Sequence, residues 1–451
     1  MLFIKYKMST PDQVQFSNNP VEGTAAESEL VIFRSELASY NPSSNKFVRI
    51  NLPVADKSWL DWSDSVLSLK FTNRSFDSAS ASTSESAVKT ELQNLIKSIT
   101  VLNSQGEQIE YINNYNLIGN ILNDYTMSSS HKASVEAILA GGSPDGSPAN
   151  APEVAGANAT SEADGSSLTL TDKLVCGFCS GQYLLPLGYL IGQSPAIILE
   201  LEDAATALKV NTAANNTCAY AVSDVQLRCK QIRFNSAFNE SFERTLAEAG
   251  SVGINYITES FLHSQNSIPA STTGQYNVPF SVNPRSAKYI LACGRLETDV
   301  AKKDAYSLGN RSSMDITDYS WEIAGKMYPS QPLKLSSTNY SQSYANILDC
   351  FGQIGAMNHS NLITTSTAAT KFYDATQATA QKWIAGLVLE DFNSATNPSI
   401  YSGANLSTVG QMTWRPTIGS TGTSAAYRVD FITAIDMSIH FTLDGRMYAI
   451  K

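Results

Sequence analysis

The chain writes one phrase twice, half a length apart. Asn114-Tyr115 is followed by Asn120-Ile121-Leu122, and Asn339-Tyr340 is followed by Asn346-Ile347-Leu348, in a chain of 451 residues. In the first half the phrase follows two strand-like runs, Ile99–Leu102 and Gln108–Tyr111; in the second it follows Tyr319–Ile323. A short polar motif recurs easily by chance. A matched context at half-length separation instead predicts two units of one fold in tandem, which restricts each unit to about half the chain.

Length and composition agree with two β-rich units. A chain this long exceeds one ordinary core and suits two or three domains of about 100–200 residues. Charged residues make up only 16%, below the roughly 25% of an average soluble protein; Ser, Thr, Asn and Ala fill the difference. A net charge of -10 disfavours non-specific nucleic-acid binding, which requires clustered Lys and Arg. No basic tract is found, so no direct nucleic-acid binding is expected.

Six cysteines, Cys176, Cys179, Cys218, Cys229, Cys293 and Cys350, are too sparse for a disulfide scaffold and read as reduced thiols. Cys176 and Cys179 form a lone CxxC without a second pair at ribbon spacing. Read as strand residues, they point to opposite faces and do not converge. Met1–Lys7 is too short for a signal peptide, and Met8 is an alternative start. No apolar run approaches the ~18–20 residues of a spanning helix. The expectation is a soluble chain made in a cytosol.

Residues 1–28 are polar and read as an N-terminal arm. Strand-like runs follow at Leu30–Phe33, Phe47–Ile50 and Val66–Phe71, with Pro53, Trp59 and Trp62 separating the last two. Leu95–Leu102 and Gln108–Ile112 flank a hairpin turn. Tyr115–Tyr125 carries apolar residues on one helical face. Ala79–Ser86 and Gly141–Gly165 read as exposed loops, the latter within a long surface excursion at about 129–166. Strands resume at Leu168–Val175, Tyr183–Leu190, Ala196–Leu201 and Tyr220–Phe234. Phe238–Ala249 reads as a helix with Asn239 as its cap, ended by Gly250 and Gly253. This gives a first unit over 29–236, a linking helix over 237–253 and a second unit over 254–451. The second unit shows strands at Ile254–Leu262, Tyr276–Val282, Lys288–Leu296, Ser320–Ile323 and Trp383–Leu389, a helix at Tyr340–Phe351, and closing strands at Tyr427–Ile435 and Met437–Leu443.

The residues offer little chemistry. His131, His263, His359 and His440 show no metal-binding spacing. There is no GxSxG elbow, P-loop or GxGxxG. Gly141–Gly146 lacks the lysine and following helix that phosphate binding requires. Glu202-Asp203 and Glu390-Asp391 could serve a glycosidase, which needs two converging carboxylates, but each sits at a strand end where a solvated turn explains it. Trp59, Trp62, Trp321, Trp383 and Trp414 could line a sugar site and otherwise read as core or interface. Asn158 and Asn239 open Asn-x-Ser/Thr triplets. No residue is put forward as catalytic, cofactor-binding or metal-ligating, no cofactor is expected, and an enzyme is not the reading.

Three stretches carry a resemblance: Ile96–Tyr111 with Tyr115-Asn116-Leu117, then Phe234–Asn239, then Trp321–Pro329 with Gln331-Pro332. In their order the chain resembles the double-jelly-roll major capsid proteins of the tectivirus, adenovirus and virophage lineage, especially the shorter forms of polinton-like viruses and related small DNA viruses. The resemblance covers most of the chain from about residue 28 and is one of pattern, not of invariant motif. It implies an all-β fold of two tandem eight-stranded jelly rolls with short helices in the connections. It further implies a capsid protein of an icosahedral DNA virus, located in the virion shell. Such a chain forms homotrimers with a pseudo-hexagonal outline that contact neighbouring capsomers and also penton and minor capsid proteins. Its N-terminal arm would stitch the shell or contact an internal membrane. The alternatives are a carbohydrate-binding or receptor-binding β-sandwich protein and a jelly-roll glycoside hydrolase, because jelly rolls host all three.

Overall fold

The computed structural model describes residues 26–74, 88–140, 167–180, 183–210, 219–250, 253–300, 302, 305–352, 363, 371–373, 381–390, 403–442 and 444–451. The first eight principal strands are β1 (Ala26–Arg34), β2 (Phe47–Asn51), β3 (Ser58–Asn73), β4 (Ile96–Leu102), β5 (Gln108–Asn113), β6 (Ser167–Asp172), β7 (Ala196–Leu201) and β8 (Tyr220–Phe234). They make two antiparallel sheets, β1-β8-β3-β6 and β2-β7-β4-β5. Inward residues of both, among them Phe33, Leu67 and Leu227 from one and Val48, Val101 and Leu199 from the other, are buried in the core.

The second eight are β9 (Ile254–Ile268), β10 (Val278–Phe280), β11 (Ala287–Leu296), β12 (Ile316–Ile323), β13 (Lys326–Lys334), β14 (Ala385–Val388), β15 (Met412–Ile418) and β16 (Tyr427–Phe441). Their sheets run β9-β16-β11-β14 and β10-β15-β12-β13. Each strand order of the first pair reappears with every label raised by eight. This is one eight-stranded jelly roll built twice.

Three longer helices complete the frame: α1 (Tyr115–Thr126), α2 (Ser236–Ala249) and α3 (Ser341–Cys350). α1 and α3 occupy the same place in each roll, between the fifth and sixth strands. The repeated Asn-Tyr phrase opens both, since Asn114 stands at the N-cap position of α1 and Tyr340 at that of α3. α2 joins the last strand of one roll to the first of the next. It is held down by Trp59 on β3, whose ring meets those of Phe238 at 5.9 Å and Phe242 at 4.5 Å. After α2 the chain turns at Gly253 with φ +70°, where an added Cβ would strike the carbonyl oxygen of Phe441. Only glycine passes so close to β16.

Several sequence expectations need correction. Trp59 and Trp62 lie within β3 instead of separating two strands, because Ser63 and Asp64 sit exposed beside a register shift in the β8 pairing and break the apolar pattern. Tyr183–Leu190 is not one strand: only Leu184–Leu185 pairs, with Leu60 and Asp61, and Pro186 starts a single 3-10 turn. The cap of α2 is Asn235, whose side chain accepts from the Phe238 N–H at 2.9 Å. Asn239 instead accepts from the Tyr189 hydroxyl at 3.0 Å. The two closing strands are one, β16, running through Asp436. β13 and β15 did not stand out as strands. β15 alternates cleanly, with Met412, Trp414, Pro416 and Ile418 buried; its central Pro416 hides it, since proline ordinarily argues against an inner strand. The Ala79–Ser86 and Gly141–Gly165 loops and the arm up to residue 25 lie outside the described residues.

Candidate functional site

The chemistry of this molecule is concentrated where the two rolls meet. β5 of the first roll and the turn that follows β6 lie on β9 and β16 of the second. Glu110 on β5 is fully buried and accepts from the Gly177 and Phe178 N–H groups, at 2.8 and 3.0 Å, and from Ser260 Oγ on β9. Its carboxylate thus joins three segments of the chain.

Beside it, Asn114 meets the ring of His263 on β9, with Nδ2 3.2 Å from Nδ1. The same ring contacts Asp430 on β16 at 2.9 Å. Asp430 also accepts from Arg295 at 2.8 Å and from Arg428 at 3.2 Å. Burial alone would raise the Asp430 carboxyl, but Arg295, His263 and Arg428 hold it well below the usual carboxylate range.

At the far end of α1, Asp124 pairs with Arg311 and lies 3.4 Å from Lys382, all three almost fully buried. Tyr125 donates to the Lys382 carbonyl at 2.8 Å, and its ring stacks on Phe351 at the end of α3. Between these clusters lies a closed triangle of hydrogen bonds. Asn94 donates to Tyr306 Oη at 3.0 Å, Tyr306 donates to Asn120 at 2.9 Å, and Asn120 donates back to Asn94 at 2.6 Å. Tyr306 comes from the second roll and the two asparagines from the first. Satisfied buried networks of this kind fix one arrangement of the parts they join, and breaking one leaves costly unpaired groups.

Among the described residues, those singled out by sequence lie in several separate places. Cys176 and Cys179 converge after all, because they sit in a tight turn and not on a strand. The Cys179 N–H reaches the Cys176 carbonyl at 3.2 Å, both thiols are free and buried, and burial with the neighbouring thiol pushes Cys179 up. No group of three metal-ligating side chains occurs among the described residues. Glu202 is buried and held by Asn116 at 2.7 Å. Glu390 lies 3.8 Å from Lys288; its neighbour Asp391 is outside the described residues. Trp321, Trp383 and Trp414 pack on one another in the core of the second roll. His131 lies near Glu136, and His440 stacks on Tyr448; His359, Cys218 and Asn158 are outside the described residues. No helix among the described residues is long and apolar enough to cross a membrane.

Sequence reasoning missed the seam altogether. Its residues lie up to 344 positions apart, as in the Asn103 bond to the Met447 carbonyl, and no local pattern announces such pairs.

No protein-family model and no curated protein matches the chain. Solved structures do. The VP54 protein of PBCV-1, fitted into a reconstruction of the virophage Sputnik, superposes with a TM-score of 0.58 at 11% identity, over 96% of this chain and 98% of that one. The Faustovirus major capsid protein gives 0.59 at 9% identity, over 94% and 92%. The mavirus major capsid protein gives 0.54 at 10% identity, over 100% and 95%. At such identities the likeness is one of fold, and it spans both rolls: this chain has the double-jelly-roll fold that these capsid proteins share.

Proposed function

We propose that this chain is the major capsid protein of an icosahedral DNA virus, a non-enzymatic component of the virion shell. The observation that carries the reading is the end-to-end likeness of both rolls to viral major capsid proteins. A protein that works by geometry needs two rolls held at a fixed angle, and the buried seam supplies that rigidity.

On this reading three copies form a capsomer whose six rolls give a pseudo-hexagonal outline, and capsomers tile the shell. The chain divides into an arm (1–28), a first roll (29–236), a linking helix (237–253) and a second roll (254–451). Penton and minor capsid proteins are its further partners, and the arm is the segment that would reach an internal membrane or a neighbouring capsomer. A sugar-binding reading is less favoured, because Trp321, Trp383 and Trp414 are spent in the core.

The test is the mass of the purified protein in solution, by light scattering behind a sizing column. A stable species near three times 48.7 kDa, with hexagonal outlines in negative stain, is the expected result. A monomer at every concentration that also fails to form shells on crowding would overturn it.

A further inference from the structure

One buried cation of the seam is only partly satisfied. Arg311 lies in the connection between β11 and β12, and two backbone hydrogen bonds with Gln381, at 2.8 and 3.0 Å, fix its position. Its side chain is fully buried. Nη2 of the guanidinium donates to Asp124, whereas Nε and Nη1 are buried and have no partner among the described residues. Asp124 does not serve Arg311 alone, since the same oxygen lies 3.4 Å from Lys382. A buried charge with two idle donors is costly. In a native fold such atoms ordinarily meet a bound water or ion.

Arg311 also lines a cavity of about 10 Å³, together with Ser307, Asn310 and Ser312. This is room for one body of roughly the size of a water molecule. The lining offers further donors. Asn310 gives one amide N–H to the Ala305 carbonyl at 2.6 Å and has a second. Ser312 Oγ accepts from the Met314 N–H at 3.1 Å, so its own hydrogen can be donated. One carboxylate, Asp299, borders the cavity as well, but Lys302 pairs with it at 2.9 Å and offsets its charge.

We infer that this cavity is an anion site, in which one small monovalent anion, such as chloride, is held against Nε and Nη1 of Arg311. A water could accept from both nitrogens, but it brings no charge to a guanidinium that shares its carboxylate. A polyatomic anion such as phosphate is too large for the space. The guanidinium then stands between two negative groups, Asp124 on α1 of the first roll and the anion among residues of the second. Because the Asp124–Arg311 pair ties the two rolls together, anion binding adds to the stability of the docked arrangement.

The experiment uses the full-length protein and chloride itself, exchanged for gluconate at constant ionic strength. Gluconate is too bulky for the cavity and leaves screening unchanged. Above the dissociation constant, each tenfold rise in chloride is expected to lower the unfolding equilibrium constant about tenfold, read from urea curves. Arg311→Lys keeps a charge for Asp124 but removes the two idle donors, and it is expected to lose the chloride dependence. Should that variant fail to fold, wild-type crystals grown in bromide decide, with an anomalous peak expected beside the Arg311 guanidinium. A wild type indifferent to chloride would overturn the inference, as would a chloride dependence unchanged in Arg311→Lys. A bromide peak without chloride-linked stability would mean an adventitious ion only. A cavity that takes up no bromide would mean a water. Either result also overturns the anion site, and none of these outcomes bears on the capsomer reading.

Discussion

The sheets β1-β8-β3-β6 and β9-β16-β11-β14 have the same strands in the same order, yet they live in different surroundings. β16 has no exposed residue, while its counterpart β8 exposes Asp224, Arg228 and Arg233. The first sheet alternates, inward apolar and outward polar, as a one-sided sheet does; the central β16 of the second is buried almost throughout, polar residues included, as a strand covered on both faces is. One topology has thus been given two surfaces. The difference shows which of the two sheets the chain covers by itself.

The largest expected effect comes from breaking the completed side. Asp124→Asn leaves Arg311 and Lys382 buried without their carboxylate and should cost about 3–5 kcal/mol, read as a lower urea midpoint. Asp430→Asn should cost a similar amount at neutral pH. Because the folded carboxyl of Asp430 is depressed, its stabilisation is present above the unfolded carboxylate range and is lost as pH falls through the lower folded value. The gap between wild type and variant should therefore narrow in acid. A constant gap would show that packing, not charge, sets the effect.

Tyr306→Phe opens the hydrogen-bonded triangle and should cost about 1–3 kcal/mol. The combination with Asn120→Ala should cost less than the sum of the two, since they share partners. Full additivity would mean that the triangle is not one unit.

A smaller effect of opposite sign is expected at Asp172, the last residue of β6. Burial, then the nearby Glu136 charge, raises Asp172 to about 6, even though Gln93 donates to it at 2.8 Å and Lys132 is close. Its folded value lies above the unfolded one, so the stability it contributes is fully present below about pH 4 and is lost as pH rises through about 6. Asp172→Asn should raise the melting temperature at pH 7 and lose that advantage near pH 4. A variant less stable at pH 7 would contradict this. On the outer face of β1, Leu30→Asp with Ile32→Asp should change the stability of the isolated chain by no more than about 0.5 kcal/mol, because both side chains already face water.

The repeated Asn-Tyr phrase made the tandem architecture legible in the sequence, since it marks the same connection in both rolls. Apolar alternation located most strands, and failed where a polar bulge interrupted β3 and where Pro416 sat inside β15. The seam was not legible. Glu110 is a polar residue on an amphipathic strand, and nothing within ten residues of it says that Ser260 will meet it. Asn235 was displaced as a cap by Asn239 because both precede apolar residues at helical spacing; only backbone geometry separates them. Exposure was equally hidden: Leu30 and Ile32 look like core in a sequence and face water in the chain.

The most direct measurement is a cryo-EM reconstruction of the assembled wild-type protein. The account predicts a closed ring of six roll-shaped densities, two from each of three chains. A particle built on a two-fold pairing of chains, or an assembly with no ring of six rolls, would contradict it.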